Sequence, residues 1–289
     1  MANNFDSNIT PKLAKTFLNA FETDRVISKN VNTQLLSGQF DPSSGDTVSF
    51  KRPTDYKSVR TSDGDISATT ANSIITGKAS GTVQDMFTVE LDWNVVDQAL
   101  KMDQLEELIA PAAKRIVTDM ELDFAKFAMK NTGLLSGTVG TGVTTWDHVA
   151  GAGAIMQASG VPMDDAMCYF ANPFTQRKLA SNQRSLGGED GSMTANRKAT
   201  ITDSFAGMRV LTCNTLGSYT TGAGADRAGT LSATPTATYL AAKDTMTMSI
   251  AVTALQANLV VAAGETITIT GRNRLNLSTR QSIVDENGA

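Results

Sequence analysis

A long run of helical periodicity, from Asp92 to Gly133, constrains the fold more than any other stretch of this chain. Apolar residues recur there at three- and four-residue spacing, which places them in one stripe along a helix. Charged residues, Glu121 among them, fall largely off that stripe. We therefore predict a helix at about 103–132, with a length of about 45 Å at ~1.5 Å per residue. The predicted core of the stripe is Leu105, Ile109, Ile116, Met120, Phe124 and Phe127.

The ends and the middle of this helix carry their own signals. Asp103 can cap its start, with Glu106 three residues later. Gly133 suits the position just past its end. Pro111 lacks an amide donor, so it should bend the helix or start it afresh. Two interpretations are open: an ordinary core helix, or a spine along which an elongated subunit is built.

Composition excludes several classes of protein. The chain has 289 residues, of which 41% are hydrophobic, so a sizeable core can form. Its formal net charge of -4 argues against a dedicated nucleic-acid binder. No apolar run approaches the ~18 residues of a membrane helix, and Met1–Pro11 lacks an apolar signal core. Cys168 and Cys213 could pair in an oxidising compartment, although two scattered cysteines are more often buried thiols.

The N-terminal segment is predicted to be a short docking arm. We expect residues 1–9 to be disordered and Thr10-Pro11 to open a helix. Its narrow apolar face would be too short to hold a helix in isolation. It must therefore dock on the chain's own body or on a neighbouring molecule. The residues of that face are Leu13, Phe17, Leu18 and Phe21.

A long polar excursion separates two predicted strands. Thr47–Lys51 alternates as a strand does and is stopped by Pro53, and Phe87, Val89 and Leu91 alternate as a returning strand. The residues between them, at about 54–85, are rich in Ser, Thr, Asp and Gly. Such a length of polar chain inside a compact domain usually has a function. We interpret it as a lid or as a hairpin that lies on a neighbour.

The second half of the chain contains short predicted helices and strands, followed by a segment of different composition. Helices are predicted at Trp146–Ser159 and from Asn172-Pro173, and a polar loop at 185–200. From Gly217 the composition shifts to Ser, Thr, Ala and Gly, and a small all-β unit is expected. The strand signals of this unit lie at 239–240, 246–252, 259–261 and 266–269. Two earlier strands are predicted at 167–171 and near 208–211.

No residue pattern predicts catalysis. His148 is the one histidine and is placed at a helix surface; with two distant cysteines it cannot make a zinc site of the usual spacing. Asp63-Gly64-Asp65 lacks the rest of a calcium loop and is interpreted as a polar turn. No nucleophile or phosphate-binding motif occurs. The prediction is no enzyme, no cofactor and no metal.

Two motifs resemble the major capsid (coat) proteins of P22-like tailed phages. They are Trp146-Asp147-His148-Val149-Ala150 and Tyr169-Phe170-Ala171-Asn172-Pro173. Similarity continues, patchily, over nearly the whole chain in the family's order. The looser matches are Gly45-Asp46-Thr47-Val48 before Pro53, the helix segment Glu121-Leu122-Asp123, and Phe205-Ala206-Gly207 ahead of Leu211.

The resemblance implies an α+β chain with the HK97-like capsid fold and an inserted β-rich domain. The spine helix at about 103–132 would be its rigid beam, and the E-loop at about 54–85 would reach over an adjacent subunit. The implied divisions are an N-terminal arm at 1–24, a peripheral domain at 25–133, an axial domain at 134–216 and the β-rich insertion at 217–289.

The function implied by the resemblance is that of a major capsid protein. Its copies would self-assemble into the icosahedral head shell around double-stranded phage DNA, without sequence-specific contact. Scaffolding protein and portal would be further partners, and no membrane would be involved. Synthesis in the bacterial host cytoplasm would precede incorporation into the virion. The arm residues Leu13, Phe17, Leu18 and Phe21 would contact a neighbouring subunit.

One departure and two alternatives accompany this interpretation. In the family the chain returns from the insertion to finish the other domains, whereas here we expect the insertion to be still open at Ala289. A fragment of a longer chain, or a divergent short form, would explain this. The first alternative is an encapsulin-like compartment with a protein cargo. The second is a β-rich adhesin or tail protein, which the long helix disfavours.

Overall fold

The computed structural model describes residues 6–31, 43, 45–51, 58–69, 78–91, 105–162, 167–186, 189–235, 248–276, 279 and 281–284. These residues form both helices and strands, as the α+β prediction requires. The chain divides into two units. The first unit comprises Met1–Thr33, Phe87–Thr221 and Ala262–Ala289, and the second comprises Gln34–Met86 and Gly222–Val261.

The first helix, α1, runs from Asp6 to Asp24. It therefore begins before Thr10, and the prediction that residues 1–9 are disordered is wrong for 6–9. The helix tolerates Pro11 because this residue lies near its start, where the missing amide removes only one internal hydrogen bond. α1 packs against the long helix of the same unit, so the arm docks on its own chain in this structure.

The long helix, α2, runs from Leu105 to Asn131 and passes through Pro111 without a break. The prediction of a long helix is confirmed, and the alternative that it restarts at Pro111 is wrong. Asp103 and its cap lie outside the described residues. A continuous helix can include the proline because only one carbonyl, four residues earlier, loses its intrahelical partner.

The buried face of α2 follows a spacing of four residues. Ile109, Ala113, Val117, Glu121 and Ala125 are all buried. At about 100° per residue, each step of four rotates the buried direction by about 40° around the helix. Such a ridge winds around the axis, as expected where helices cross at an angle. Towards the C-terminal end of α2 the buried side has therefore turned well away from the direction of Ile109.

A three-stranded sheet and three helices complete the described part of the first unit. Strands β3 (Cys168–Ala171) and β5 (Met208–Thr212) are parallel, and β4 (Ser204–Phe205) pairs antiparallel with β5. Ala206 and Gly207 both have positive φ, as a two-residue type I′ hairpin between β4 and β5 requires. The helices are α3 (Trp146–Ala158), α4 (Pro173–Leu186) and α5 (Glu189–Lys198).

The start of α4 fits its prediction, and α5 corrects one. Asn172 caps α4 through its side-chain oxygen, which accepts a hydrogen bond from the Thr175 amide at 2.7 Å. The polar loop predicted at 185–200 is wrong, because α5 occupies most of that range. Arg197 and Lys198 in its last turn favour the helix dipole, and Ala195 is buried. The basic last turn and the packing of Ala195 thus support a helix in spite of the polar composition of this segment.

One hydrophobic cluster holds α3, α4, α5 and the sheet together. Leu179 of α4 and Val149 of α3 are fully buried at its centre. Burying a side chain of this size stabilises the fold by about 1.5–3 kcal/mol. The buried members of the cluster are Val149, Leu179, Ala180, Ala195, Ile201, Phe205 and Met208.

The second unit contains two short antiparallel pairs. β1 (Thr47–Lys51) pairs with β2 (Lys78–Thr82), with Val48 opposite Gly81. The strand at Thr47–Lys51 is confirmed, but its predicted partner at 87–91 is wrong. Phe87, Val89 and Leu91 lie outside any ladder and are exposed. β2 has the sequence Lys-Ala-Ser-Gly-Thr, which lacks the apolar alternation on which the prediction relied. Its pairing with β1 therefore depends on backbone hydrogen bonding more than on side-chain pattern.

The β-rich segment forms fewer strands than expected. β6 (Thr230–Leu231) pairs with β7 (Val252–Thr253). The strands predicted at 259–261 and 266–269 do not form, and the one at 239–240 lies outside the described residues. Val260, Val261 and Ile267 are exposed. Alternating apolar residues stabilise a strand only when one face is covered, and nothing in the described part of the chain covers these.

The chain returns to the first unit after the β-rich segment. Residues 262–289 belong to the first unit, whereas the expected insertion comprised all of 217–289. The Tyr219 hydroxyl donates to the Ala263 carbonyl at 2.8 Å, and the Asn276 side chain donates to the Ala158 carbonyl at 2.6 Å. Within the first unit, the segment from residue 262 onward is therefore joined to the chain at Tyr219 and at the end of α3.

Candidate assembly surfaces

A buried carboxylate fixes the chain just after the arm. Glu121 of α2 is 1% exposed. Its two oxygens accept hydrogen bonds from the amides of Ile27, at 2.6 Å, and Ser28, at 2.9 Å. Hydrogen bonds to a charged acceptor are stronger than those between neutral groups. Glu121 therefore fixes the turn that follows α1 on the middle of α2, a role that the sequence analysis missed.

An apolar cluster surrounds that attachment. Ile27, Ala125 and Cys213 are its buried members, and Phe124 and Phe170 pack against them. The thiol of Cys213 lies 2.8 Å from the Thr215 hydroxyl, and neither cysteine forms a disulfide. The reduced, buried state foreseen for the cysteines is therefore observed at Cys213, while Cys168 is half-buried.

The arm residues divide between contact within the chain and exposure. The rings of Phe17 and Phe21 stack with centroids 6.0 Å apart, and Arg25 lies over the Phe21 ring at 5.5 Å. Leu18 is 58% exposed. The side chain of Leu13 lies outside the described residues. The structure thus brings Phe17 and Phe21 together and leaves Leu18 at the surface.

The predicted spine residues occupy three environments. Ile109 is buried, while Ile116, Met120 and Phe124 are half-buried. Phe127 is 63% exposed, so the prediction that it belongs to the core of this subunit is wrong. The winding of the buried ridge explains the error, because Phe127 projects near the direction of Ile109 where that side is no longer covered. The side chain of Leu105 lies outside the described residues.

The polar excursion contains an ordered turn at Asp63-Gly64-Asp65. Asp63 accepts a hydrogen bond from the Asp65 amide at 3.0 Å, and Asp65 accepts one from the Ser67 amide at 2.8 Å. The hydrogen bond from Ser67 lowers the pKa of Asp65 below its ordinary value. Side-chain-to-backbone bonds of this kind are typical of Asx turns. The interpretation of Asp63-Gly64-Asp65 as a polar turn is confirmed.

Large apolar side chains remain at the surface of the first unit. Phe174, in the first turn of α4, is 77% exposed, and Trp146, which starts α3, is also exposed. The Trp146 amide donates to the Asn182 side chain at 2.9 Å, which places the start of α3 beside α4. His148 is exposed, as predicted, and its Nδ1 accepts the Thr144 amide at 3.2 Å.

Other classes of site find little support in the described part of the chain. Its residues include no group of three or more histidines, cysteines and carboxylates placed to share a metal ion. No described helix is both long enough and apolar enough to span a bilayer.

Comparison with known proteins identifies the family. Residues 1–288 match the P22 coat protein family, described as P22 coat protein, gene protein 5. The chain is also 35% identical, over 286 residues, to the major capsid protein of Acyrthosiphon pisum secondary endosymbiont phage 1. That match covers 98% of this chain and 67% of the relative. The chain therefore belongs to the P22 coat protein family.

Proposed function

We propose that this chain is a major capsid protein whose copies self-assemble into an icosahedral phage head shell around double-stranded DNA. The observation that carries the proposal is the family match, which spans residues 1–288 and so includes both units. The relative that is 35% identical to this chain is itself a phage major capsid protein. The role is structural and requires no catalysis, and the protein would reside in the virion after synthesis in the bacterial host cytoplasm.

The distribution of apolar residues supports a subunit that completes its burial in an assembly. Several of the buried hydrophobic residues of the described chain are alanines, while Phe127 and Phe174 are exposed. Exposed apolar surface in a soluble protein commonly marks a protein–protein contact. Many such contacts acting together hold each subunit in place even when each contact is weak.

We further propose an HK97-like arrangement of these elements. α1 would be the N-terminal arm, the hairpin of β1 and β2 the base of an E-loop, and α2 the spine of the peripheral domain. The cluster around Leu179 would be the core of the axial domain, and 222–261 the inserted β-rich domain. Leu18, exposed on the arm, would contact a neighbouring subunit. Scaffolding protein and portal would be partners during assembly.

Serine at Phe174 should block assembly without unfolding the subunit. A side chain that is 77% exposed contributes little to the subunit's own stability, so the free energy of unfolding of the subunit should change by only about 0.5 kcal/mol. An aromatic side chain buried at a subunit boundary can contribute more than 2 kcal/mol to association. We therefore expect Phe174→Ser to raise the protein concentration needed for assembly at least tenfold, measured by sedimentation velocity.

Phe127→Ser provides a second exposed aromatic site, and Asn196→Ser is the matched control. Asn196 is also exposed but is polar already, so its change should leave assembly unaltered. If both phenylalanine variants assemble at the same concentration as the unaltered protein, these side chains do not lie at subunit boundaries. The surface argument for the proposed function would then be wrong.

A further inference from the structure

The outer face of α4 carries cations and no carboxylate. Arg177, Lys178 and Arg184 are all exposed, while Leu179 and Ala180 of the same helix are buried. At about 100° per residue, the three cations project within about 120° of one another. The sequence of α4 contains no Asp or Glu. One side of this helix is therefore anchored in the core and the other presents positive charge to solvent.

The neighbouring helix extends this charge. α5 packs against α4 and ends with Arg197 and Lys198, both exposed. Residues 172–199 contain these five cations against two acidic residues, Glu189 and Asp190, within a chain of net charge -4. Within the described residues, none of the five cations has an acidic partner. The positive charge of this region thus contrasts with the acidic balance of the remaining chain.

The character of the face favours a phosphate backbone over a protein. From Arg177 to Ser185 the exposed residues are the three cations with Ser181 and Ser185, so this stretch presents charge and hydroxyl groups without an exposed apolar side chain. The exposed side chains of Phe174 and Leu186 lie before and after it along the helix. Protein interfaces usually bury an apolar centre, whereas phosphates are bound by Arg, Lys and hydroxyl donors. Double-stranded DNA offers one negative charge per ~1.7 Å of its axis. A short run of cations can therefore contact phosphates in any register.

We propose that the outer face of α4 from Arg177 to Ser185, extended by the last turn of α5, binds the phosphate backbone of double-stranded DNA without reading its sequence. Phe174, in the first turn of α4, is left to the contact with a neighbouring subunit. This inference rests on the proposed function, which supplies the DNA. It differs from a condensing role, because a few cations per subunit give only a weak contact that is repeated over many copies. Such a contact allows DNA to move along the surface.

The test compares two charge variants of the full-length subunit. Arg177→Gln, Lys178→Gln and Arg184→Gln are combined, and binding of a short fluorescent duplex is measured by anisotropy over a range of salt concentrations. The matched control combines Lys29→Gln, Lys51→Gln and Lys114→Gln, which are exposed cations elsewhere. Both variants change the net charge equally, so only position differs.

We expect the α4 variant to lose at least tenfold in affinity at low salt. Its plot of log affinity against log salt should become less steep by about 2–3, since each phosphate contact contributes about 0.9 to that slope. The control variant should bind nearly as well as the unaltered protein, and two duplexes of unrelated sequence should bind alike. Equal losses in both variants, or no loss at α4, would overturn the proposal.

Two further measurements distinguish DNA binding from two other roles of this face, binding of an acidic protein and contact between subunits. A polyglutamate of the same charge should bind more weakly than the duplex, and tighter binding would reassign the face to an acidic protein. Electron microscopy of the same variants should show that the α4 variant still assembles. If it binds DNA normally but forms no shells, the face lies at a subunit boundary and the proposal is wrong. DNA binding is measured on the subunit, so failure of the unaltered chain to form shells counts only against the proposed function.

Discussion

Glu121→Ala is expected to release the turn after the arm and to destabilise the first unit by about 2–5 kcal/mol. The side chain is almost fully buried and accepts hydrogen bonds from the Ile27 and Ser28 amides. Alanine leaves both donors without a partner, and an unsatisfied buried donor costs about 1–3 kcal/mol. Urea unfolding followed by circular dichroism gives the total loss, and amide hydrogen exchange across residues 25–31 locates it.

Two variants of the same helix calibrate that result. Glu121→Gln keeps the shape of the side chain but only one oxygen, so it should lose about half as much stability. Asp123→Ala removes an exposed carboxylate two residues away and should change stability by no more than about 0.5 kcal/mol. If Glu121→Ala is as silent as Asp123→Ala, the carboxylate does not hold the turn in solution.

Gly264→Ala should detach the returning segment from the end of α2. Gly264 has φ +92°, and an added Cβ would lie 2.6 Å from both Cα and the carbonyl oxygen of Lys130. These are backbone atoms of the helix, so they cannot move aside as a flexible side chain would. Strain at positive φ costs about 1–3 kcal/mol, and overpacking costs about 1–3 kcal/mol more. Limited proteolysis should then cleave within 262–276 faster than in the unaltered chain.

Gly271→Ala separates the two contributions to that result. Gly271 also has positive φ, at +74°, but no atom lies within 4 Å of its added Cβ. Its alanine variant should therefore show only the backbone strain and should be cleaved in this segment more slowly than the Gly264 variant. Equal protease sensitivity in the two variants would mean that the contact between Gly264 and Lys130 does not hold the segment.

A small open cleft lies beside that contact, at the end of α2. Its volume is about 330 Å³. The hydrogen bond of 2.8 Å between the Tyr219 hydroxyl and the Ala263 carbonyl joins the two segments that line this cleft. The segments around Tyr219 and Ala263 thus contact each other as well as α2. The lining residues are Lys126, Met129, Lys130, Ser218, Tyr219, Thr220, Ala262 and Ala263.

Local signals in the sequence were sufficient for some elements. The periodicity of α2 predicted a helix that the structure places at Leu105–Asn131. The Asn172-Pro173 pair predicted the start of α4, because a capping side chain and a fixed φ act within one turn. In both cases the interactions that decide the structure lie within a few residues of one another.

Other features depended on partners distant in the sequence. The sequence predicted one apolar stripe on α2 that included Phe127 and left out Glu121, but the crossing of its partner selects a ridge that buries Glu121 and leaves Phe127 exposed. A signal for Glu121 was present: it stands four residues after Val117 and four before Ala125, as a charged member of an otherwise apolar series. β2 carried no such signal, because its pairing with β1 is decided by register rather than by apolar pattern.

Electron microscopy of particles formed by the full-length protein tests the central claim most directly. The proposed function predicts closed shells of uniform diameter. At sufficient resolution, Phe127 and Phe174 should lie buried at boundaries between subunits. Dispersed subunits, or irregular aggregates in which these side chains remain exposed to solvent, would contradict the claim that this chain forms a capsid shell.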